Sequence, residues 1–413
     1  MTDAILRLPI VAVGDPWHDA AYAVFDGDRL RHVEIERLTR VKYETLNPLV
    51  AGCLTERETF LEAGAFLFEE GRFIAPLVRG LRSGSVSDPH AAVRTMVSGQ
   101  HGSFPAEMLD SMPQVIDDVA QIFSNIAKGR AAYEIMDHHF CHAANAFISS
   151  DLAEAVVFTL DGGGDHFLNG RQVEVHGAVY RFDRMAPLSR APLELVTSWS
   201  PGWAWTRACN LLGYDSYDAG TLMAMSAFGQ PDRSIAEIVR NDTFWAVNSS
   251  GLSPVRRTKL RLMLKALRHL VVAEAGKFAL ALELQAETER RIEAFMRPHL
   301  ERSGPVDICL SGGTFLNCIL AAKVRQWFAN VGRIYVPPVP YDAGICLGLA
   351  QTHLFERGLG DRGSCAPDTI ADFAGGPTYS LIDVYAACRS TGRADPQPMP
   401  PAQLRSGSTK VGS

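Results

Sequence analysis

Apolar and polar positions along the chain fall into one grammar that occurs twice. Ile5 to Val13 form an apolar, β-rich run that stops at Gly14-Asp15. Ala20 to Phe25 alternate loosely and meet an Asp26-Gly27-Asp28 turn, after which Arg29 to Glu36 return as a strand. The run reads as strand, acid, hairpin. Later, Ala155 to Leu160 form an apolar strand ending at the turn Asp161-Gly162-Gly163-Gly164-Asp165. A second turn around Asn169-Gly170 follows, and Val173 to Phe182 return. Two such units, each followed by helical sequence, predict an internally duplicated α/β fold.

Between the copies the pattern is mostly helical, with helices expected over Glu56–Glu70, Pro105–Lys128 and His138–Phe147. After the second copy, Pro201–Leu212 and Arg233–Ile238 predict short helices, and Ser253–Arg302 predicts two or more. Arg256, Arg257, Lys259, Arg261, Lys265 and Arg268 form a basic run there, which reads as a solvated helix face or as a contact for an anionic partner. Val306–Leu310 is a short strand ending in Ser311-Gly312-Gly313-Thr314, with a helix expected over Phe315–Trp327. Arg333–Val336 is another strand, and it leads through Pro337 to Gly344 into an apolar helix ending at Leu354. Strands that hand over to helix N-termini through Gly or Asp turns are where open α/β sheets gather ligands. From Gly358 onward Gly, Pro, Ser and Asp accumulate around one helical stretch, Tyr379–Ser390, which predicts a mobile tail.

The chain has 413 residues, of which 47% are hydrophobic and 21% charged, with net charge −6. This is the composition of a globular protein and an unfavourable one for gripping nucleic acid over a broad surface. The longest membrane-span candidate, His269–Leu284, is broken by Glu274, Lys277 and Glu283, so no membrane span is expected. No basic region precedes an apolar block at the N-terminus. Eight cysteines without a CxxC pair read as reduced thiols of a cytoplasmic protein.

His138 and His142 are spaced i, i+4, which on a helix puts both rings on one face. Asp161 and Asp342 each follow an apolar strand at a turn, where a carboxylate can reach a shared site. The bland alternatives are a turn residue for Asp161 and a helix cap for Asp342. Two imidazoles with two carboxylates suit Fe(II), Mn(II) or Zn(II). Gly162, Gly163 and Gly164, and again Gly312 and Gly313, let backbone N–H groups approach a phosphate. His18 is a candidate acid, base or orienting group beside Asp19, and Lys42 a candidate phosphate ligand.

These residues carry a resemblance to a known family. Gly14-Asp15-Pro16-Trp17-His18-Asp19-Ala20-Ala21 and Glu34-Ile35-Glu36-Arg37-Leu38-Thr39-Arg40-Val41-Lys42 resemble the opening of the O-carbamoyltransferases, which include nodulation-factor and antibiotic-tailoring enzymes. Asp137-His138-His139-Phe140-Cys141-His142-Ala143-Ala144-Asn145-Ala146-Phe147 resembles their paired-histidine motif, and Leu160-Asp161-Gly162-Gly163-Gly164-Asp165 their second strand turn. Leu310-Ser311-Gly312-Gly313-Thr314-Phe315-Leu316-Asn317-Cys318 and Val336-Pro337-Pro338-Val339-Pro340-Tyr341-Asp342-Ala343-Gly344 resemble the last two motifs. Together they cover roughly residues 10 to 355.

The resemblance implies a duplicated, two-lobed, actin-like ATPase fold (ribonuclease H-like, ASKHA) over residues 1–356. That fold is shared with tRNA threonylcarbamoyl transferases and the hydrogenase-maturation carbamoyltransferase. It implies that His138, His142, Asp161 and Asp342 hold a divalent metal, iron. Beside it, Lys42, Gly162, Gly163, Gly164, Gly312, Gly313 and Asn317 are expected to contact the nucleotide, and catalytic His18 to assist deprotonation of the acceptor. In the family a YrdC-like domain makes carbamoyl-adenylate from carbamoyl phosphate and ATP. The first domain then transfers the carbamoyl group to a hydroxyl of a small-molecule or sugar acceptor. Gly375-Gly376-Pro377-Thr378-Tyr379-Ser380 resembles the short motif before the YrdC-like domain, so residues 357–413 read as a linker or tail at its entry. The expectation is a transferase half that relies on a separate YrdC-like domain or subunit. One position departs from the family: Thr221, in Ala219-Gly220-Thr221-Leu222-Met223-Ala224-Met225-Ser226, stands where a lysine is usual. The rival reading is a non-catalytic or partner-dependent homologue that binds nucleotide without turnover. A sugar kinase of the same superfold fits the histidine pair less well, since Mg²⁺ prefers carboxylates and waters.

Overall fold

The computed structural model describes residues 9–14, 18–39, 45–72, 74–99, 113–168, 171–247, 252–301 and 304–358. Their strands form two five-stranded sheets. The first contains β1 (Ile10–Val13), β2 (Ala21–Phe25), β3 (Leu30–Glu34), β4 (Ala65–Glu69) and β5 (Ala132–Met136) in the order β3-β2-β1-β4-β5. The second contains β6 (Glu154–Leu168), β7 (Arg171–Asp183), β8 (Glu194–Val196), β9 (Val306–Ser311) and β10 (Val331–Tyr335) in the order β8-β7-β6-β9-β10. In both sheets the first three strands form an antiparallel meander and the last two run parallel to the first. The same order and the same pairing senses occur twice, so the fold is internally duplicated.

Between the sheets lie two helices, His138–Ser149 and Ile345–Glu356. The first is buried along its whole length, as the second is from Ile345 to Leu354. Their core takes in Ala12 and Leu67 from the first sheet and Val157, Tyr180 and Cys309 from the second. Gly348 makes the close approach possible, because a Cβ there would overlap the Cys141 carbonyl. The outer face of the first sheet is covered by helices including Pro48–Thr55 and Pro113–Ala127, that of the second by Cys318–Trp327 and the end of Glu274–Leu300. A further core joins helices Pro201–Leu212, Ala219–Ser226, Arg233–Val239, Pro254–Leu270 and Glu274–Leu300. Fully buried rings such as Phe147, Phe158 and Trp245 anchor these layers, each contributing about 1.5–3 kcal/mol relative to exposure.

Three expectations change. The helix predicted over Glu56–Glu70 is a shorter helix, Arg57–Glu62, followed by β4. Every residue of Ala65–Glu69 is buried, so the strand carries no alternation to mark it. The return strand predicted to Glu36 ends at Glu34 and passes into a short helix, Ile35–Thr39. Finally, Asp161-Gly162-Gly163-Gly164-Asp165 does not end its strand. β6 runs on to Leu168, with a register shift between Leu160 and Gly164. A bulge of this kind bends a strand and re-aims its side chains. Residues 359–413, with the expected tail and its helical stretch, and the Asn169-Gly170 turn lie outside the described residues.

Candidate metal centre between the lobes

Three segments deliver the four side chains of the centre. Helix His138–Ser149 starts at His138, so His138 and His142 stand one turn apart with ring centroids 4.6 Å apart. Asp161 projects from β6 at the bulge, and Asp342 opens the single 3₁₀ turn Asp342–Gly344 that leads into helix Ile345–Glu356. The Nε2 atoms of His138 and His142 are 3.1 Å apart. His142 Nε2 lies 3.2 Å from Asp161 Oδ2 and 3.5 Å from Asp342 Oδ1, and His138 Nε2 lies 3.8 Å from Asp342 Oδ1. One ligand atom from each of the four residues falls within 4.8 Å of all the others. His139 turns away and bonds the Val175 carbonyl at 2.9 Å.

The electrostatics of this set call for a cation. Burial works against a proton on His142, but the carboxylates of Asp161 and Asp342 beside it prevail and raise its pKa to about 9. Burial and the charge on His142 push His138 down. Burial opposes ionisation of Asp161, yet its hydrogen bond to His142 and that charge hold it below the usual carboxylate range. Burial and the charge on Asp161 push Asp342 up. Asp342 Oδ1, facing both imidazoles, is buried without a hydrogen-bond partner. An orphaned carboxylate oxygen beside two Nε2 atoms fits a divalent ion of the borderline class.

The surroundings hold the ligands in place. Glu69, the last residue of β4, accepts from His138 Nδ1–H at 2.5 Å, which leaves Nε2 facing inward as a ligand lone pair. Gly313 N–H donates to Asp161 Oδ2 at 2.8 Å, and Gly162 N–H donates to Asp161 Oδ1. At Gly164 a Cβ would overlap the His138 ring, so this glycine makes room for a ligand. Sequence reasoning missed Glu69 because its strand was read as helix. The signal was present: Phe66-Leu67-Phe68-Glu69-Glu70 is an apolar run ending in acid, as at Asp161.

His18 stands at the edge of this set, with Nε2 3.6 Å from Asp342 Oδ2. Asp19 accepts from Nδ1 at 2.7 Å, and the Tyr217 ring lies 4.5 Å from the imidazole. Burial lowers the His18 pKa, but the Asp19 hydrogen bond and the charge on Asp342 carry it to about 9. Asp19 has φ 54°, a left-handed conformation unusual for a residue with a side chain. Gly312 also needs its positive φ of 93°. Its N–H donates to the Pro340 carbonyl at 2.6 Å, and a Cβ would overlap the Leu160 carbonyl. A Cβ at Gly162 would meet open space, whereas one at Gly163 would crowd Glu174 and His176. Asn317 donates from Nδ2 to Gln285 Oε1 at 2.7 Å, while its Oδ1 is buried without a partner. Lys42 and Asp15 lie outside the described residues.

Residues 110–351, which include His138, His142, Asp161 and Asp342, match the family described as carbamoyltransferase N-terminus. The chain belongs to that family. Among relatives of this carbamoyltransferase-family chain, nodulation protein NolO of Bradyrhizobium diazoefficiens is 31% identical over 221 residues, covering 52% of this chain and 37% of NolO. Nodulation protein NolNO of Sinorhizobium fredii is 28% identical over 342 residues, covering 81% of this chain and 46% of NolNO. The chain thus spans about half or less of the length of these relatives. Among solved structures, HypF of T. kodakarensis is similar at 13% identity and TM-score 0.39, over 86% of this chain and 48% of that one. Component A of the Acidaminococcus fermentans (R)-2-hydroxyglutaryl-CoA dehydratase is similar at 12% identity and TM-score 0.42, over 86% and 100%. The duplicated sheets flanking two central helices are the actin-like, two-lobed ATPase architecture. Among the described residues no helix is long and apolar enough to cross a membrane.

Proposed function

We propose that these lobes bind carbamoyl-adenylate beside the centre and transfer its carbamoyl group to a hydroxyl of a small-molecule or sugar acceptor, with a divalent metal, iron, on His138, His142, Asp161 and Asp342. The observation that carries this reading is the convergence of those four side chains around the orphaned Asp342 Oδ1, in a chain of the carbamoyltransferase family. A divalent ion held there supplies positive charge to an anionic oxygen of the donor. In the transfer, the acceptor oxygen bonds to the carbamoyl carbon, the bond from that carbon to the phosphate oxygen breaks, and AMP leaves with the electron pair. The hydroxyl proton passes to a base. His18 is placed for that role, because Asp19 occupies Nδ1 and turns Nε2 toward the Asp342 side. Offsetting the charge on Asp161 and Asp342 would remove part of the field that favours the His18 proton, while the Asp19 hydrogen bond, its largest support, holds the ring in place. Gly162, Gly163, Gly164, Gly312 and Gly313 line the nucleotide side in this reading. The free Oδ1 of Asn317 accepts from a nucleotide donor, and Lys42 pairs with phosphate. The adenylate comes from carbamoyl phosphate and ATP on a YrdC-like domain or subunit.

The test supplies the iron-loaded chain with carbamoyl-adenylate made by a separately expressed YrdC-like domain, together with a panel of sugar and polyol acceptors. Acceptor-dependent AMP release, with one carbamoyl group added to the acceptor, is expected from wild type and is lost in Asp342→Asn. AMP release that ignores the acceptor rejects the proposal. Nucleotide binding with no release across the panel supports the rival reading, a homologue that binds without turnover.

A further inference from the structure

Helix Pro254–Leu270 carries six cations and no carboxylate, and no acid occurs between Asp242 and Glu274. The chain as a whole has net charge −6, so this helix is a concentrated basic face on an otherwise acidic molecule. The next helix, Glu274–Leu300, treats its cations differently. There Arg290 and Arg291 pair with Glu287, and Arg297 pairs with Glu293 and Glu301. By contrast, Arg256, Lys259, Arg261, Lys265 and Arg268 are exposed and form no ion pair among the described residues. One side of the helix is committed to the interior through Leu260 and Leu267. The opposite side exposes Val255 and Leu262, 78% and 63% accessible and seven residues apart. Ala266 continues their stripe, and the cations flank it on both sides.

An aliphatic seam at helical spacing between two rows of like charge is the complement of an amphipathic helix with carboxylates beside its own seam. We infer that the outer face of Pro254–Leu270 is a docking surface for an acidic amphipathic helix of a protein partner. The face has no aromatic side chain to anchor it at a lipid interface, and its larger apolar side is already buried in the protein. It also lacks the aromatic platforms and amide side chains that read nucleic acid. The inference is independent of the metal centre and of the proposed transfer.

The test uses the full 413-residue chain and a fluorescent peptide of about three heptads, with Leu at the seam and Glu on both flanks. Its control is a scrambled peptide of the same composition. Wild type is expected to bind the patterned peptide about tenfold more tightly than the scrambled one, with affinity falling as salt rises. Lys259→Glu/Arg261→Glu/Lys265→Glu should abolish binding, and Leu262→Ser should weaken it several-fold. Both variants should keep the wild-type melting temperature, because all four side chains are exposed. Equal affinity for the scrambled peptide would reduce the face to unpatterned counter-ion attraction and overturn the inference. Tighter binding to phosphatidylserine vesicles or to duplex DNA than to the peptide would overturn it in favour of those ligands. A self-association that the triple variant removes would overturn it in favour of a second copy of the chain.

Discussion

The two lobes place the ends of equivalent strands against the same centre and give them opposite jobs. β4 and β9 are both the strands parallel to the first strand of their sheets. β4 ends in Glu69, whose carboxylate accepts from the imidazole of His138. β9 ends at Ser311, and two residues on Gly313 offers a backbone N–H to the carboxylate of Asp161. One lobe therefore fixes a histidine with an acceptor, and the other fixes an aspartate with a donor. Duplication supplied two equivalent strand ends, and the chemistry of each ligand decides what stands there. The hairpins differ as well. β1 and β2 are four and five residues long, while β6 and β7 extend to fifteen and thirteen, carrying Asp161 and Gly164 past the last β6–β9 pair, Thr159 with Ser311.

The comparison breaks most completely if the centre needs no ligand from the helix between the lobes. His142→Ala should lower divalent-metal affinity by about a hundredfold or more, since it would remove one of the four proposed donor atoms. Metal content after dialysis measures this, and retention of one ion per chain would show that the ion sits elsewhere.

The two strand ends can be separated next. Glu69→Gln should weaken metal binding by about 10- to 100-fold through loss of the anionic partner of His138. Gly312→Ala should act on stability instead, by about 1–3 kcal/mol, because its backbone is left-handed and its Cβ meets the Leu160 carbonyl. Calorimetric titration with metal and denaturant midpoints distinguish the two. Equal effects of both variants on metal affinity would mean that the strand ends are interchangeable.

The smallest effect is a dependence on pH. His18 and His142 have folded pKa values of about 9, above their ordinary value of 6.5. The metal-free fold is therefore helped fully below about pH 6.5 and loses that help as pH rises through about 9. Bound metal displaces the His142 proton, so saturating metal should flatten the trend. Metal uptake should release protons at pH 7 and tighten toward pH 9. Thermal midpoints with chelator and with metal across this window provide the measurement, and parallel curves would reject a shared site for proton and metal.

Much of this centre was legible in the sequence. The i, i+4 spacing of His138 and His142 survives folding unchanged, because a helix preserves local spacing. Asp161 and Asp342 were visible as acids following apolar strands. The repeated hairpin grammar reported the duplication. Glu69 was hidden because β4 is buried on both faces, and its four apolar residues before the acid have no period to separate strand from helix. The role of Gly164 was hidden for another reason. Three glycines in a row suggest a turn, and only the tertiary approach of the His138 ring shows why one of them stands within a bulged strand. The pairing of Gly313 with Asp161 spans 152 positions and leaves no local trace.

The helix Ile345–Glu356 has a consequence for how the chain is made. It is the last described element, yet it packs against β1, β2 and β4, the opening strands of the chain. His32 meets the Ala343 carbonyl at 2.8 Å, and Tyr341 donates to Glu34 at 3.0 Å across the same junction. On the ribosome, the N-terminal lobe emerges first, its last strand ending at Met136, but its final wall begins only at Ile345, roughly two hundred residues later. The second sheet, whose strands lie between residues 154 and 335, has all its own strands before then. Synthesis order and completion order are thus reversed, and Asp342 arrives with the same segment that closes the first lobe. A nascent chain halted before that segment would leave an apolar sheet face uncovered and lack the Asp342 carboxylate, so one segment completes both the first lobe's core and the centre.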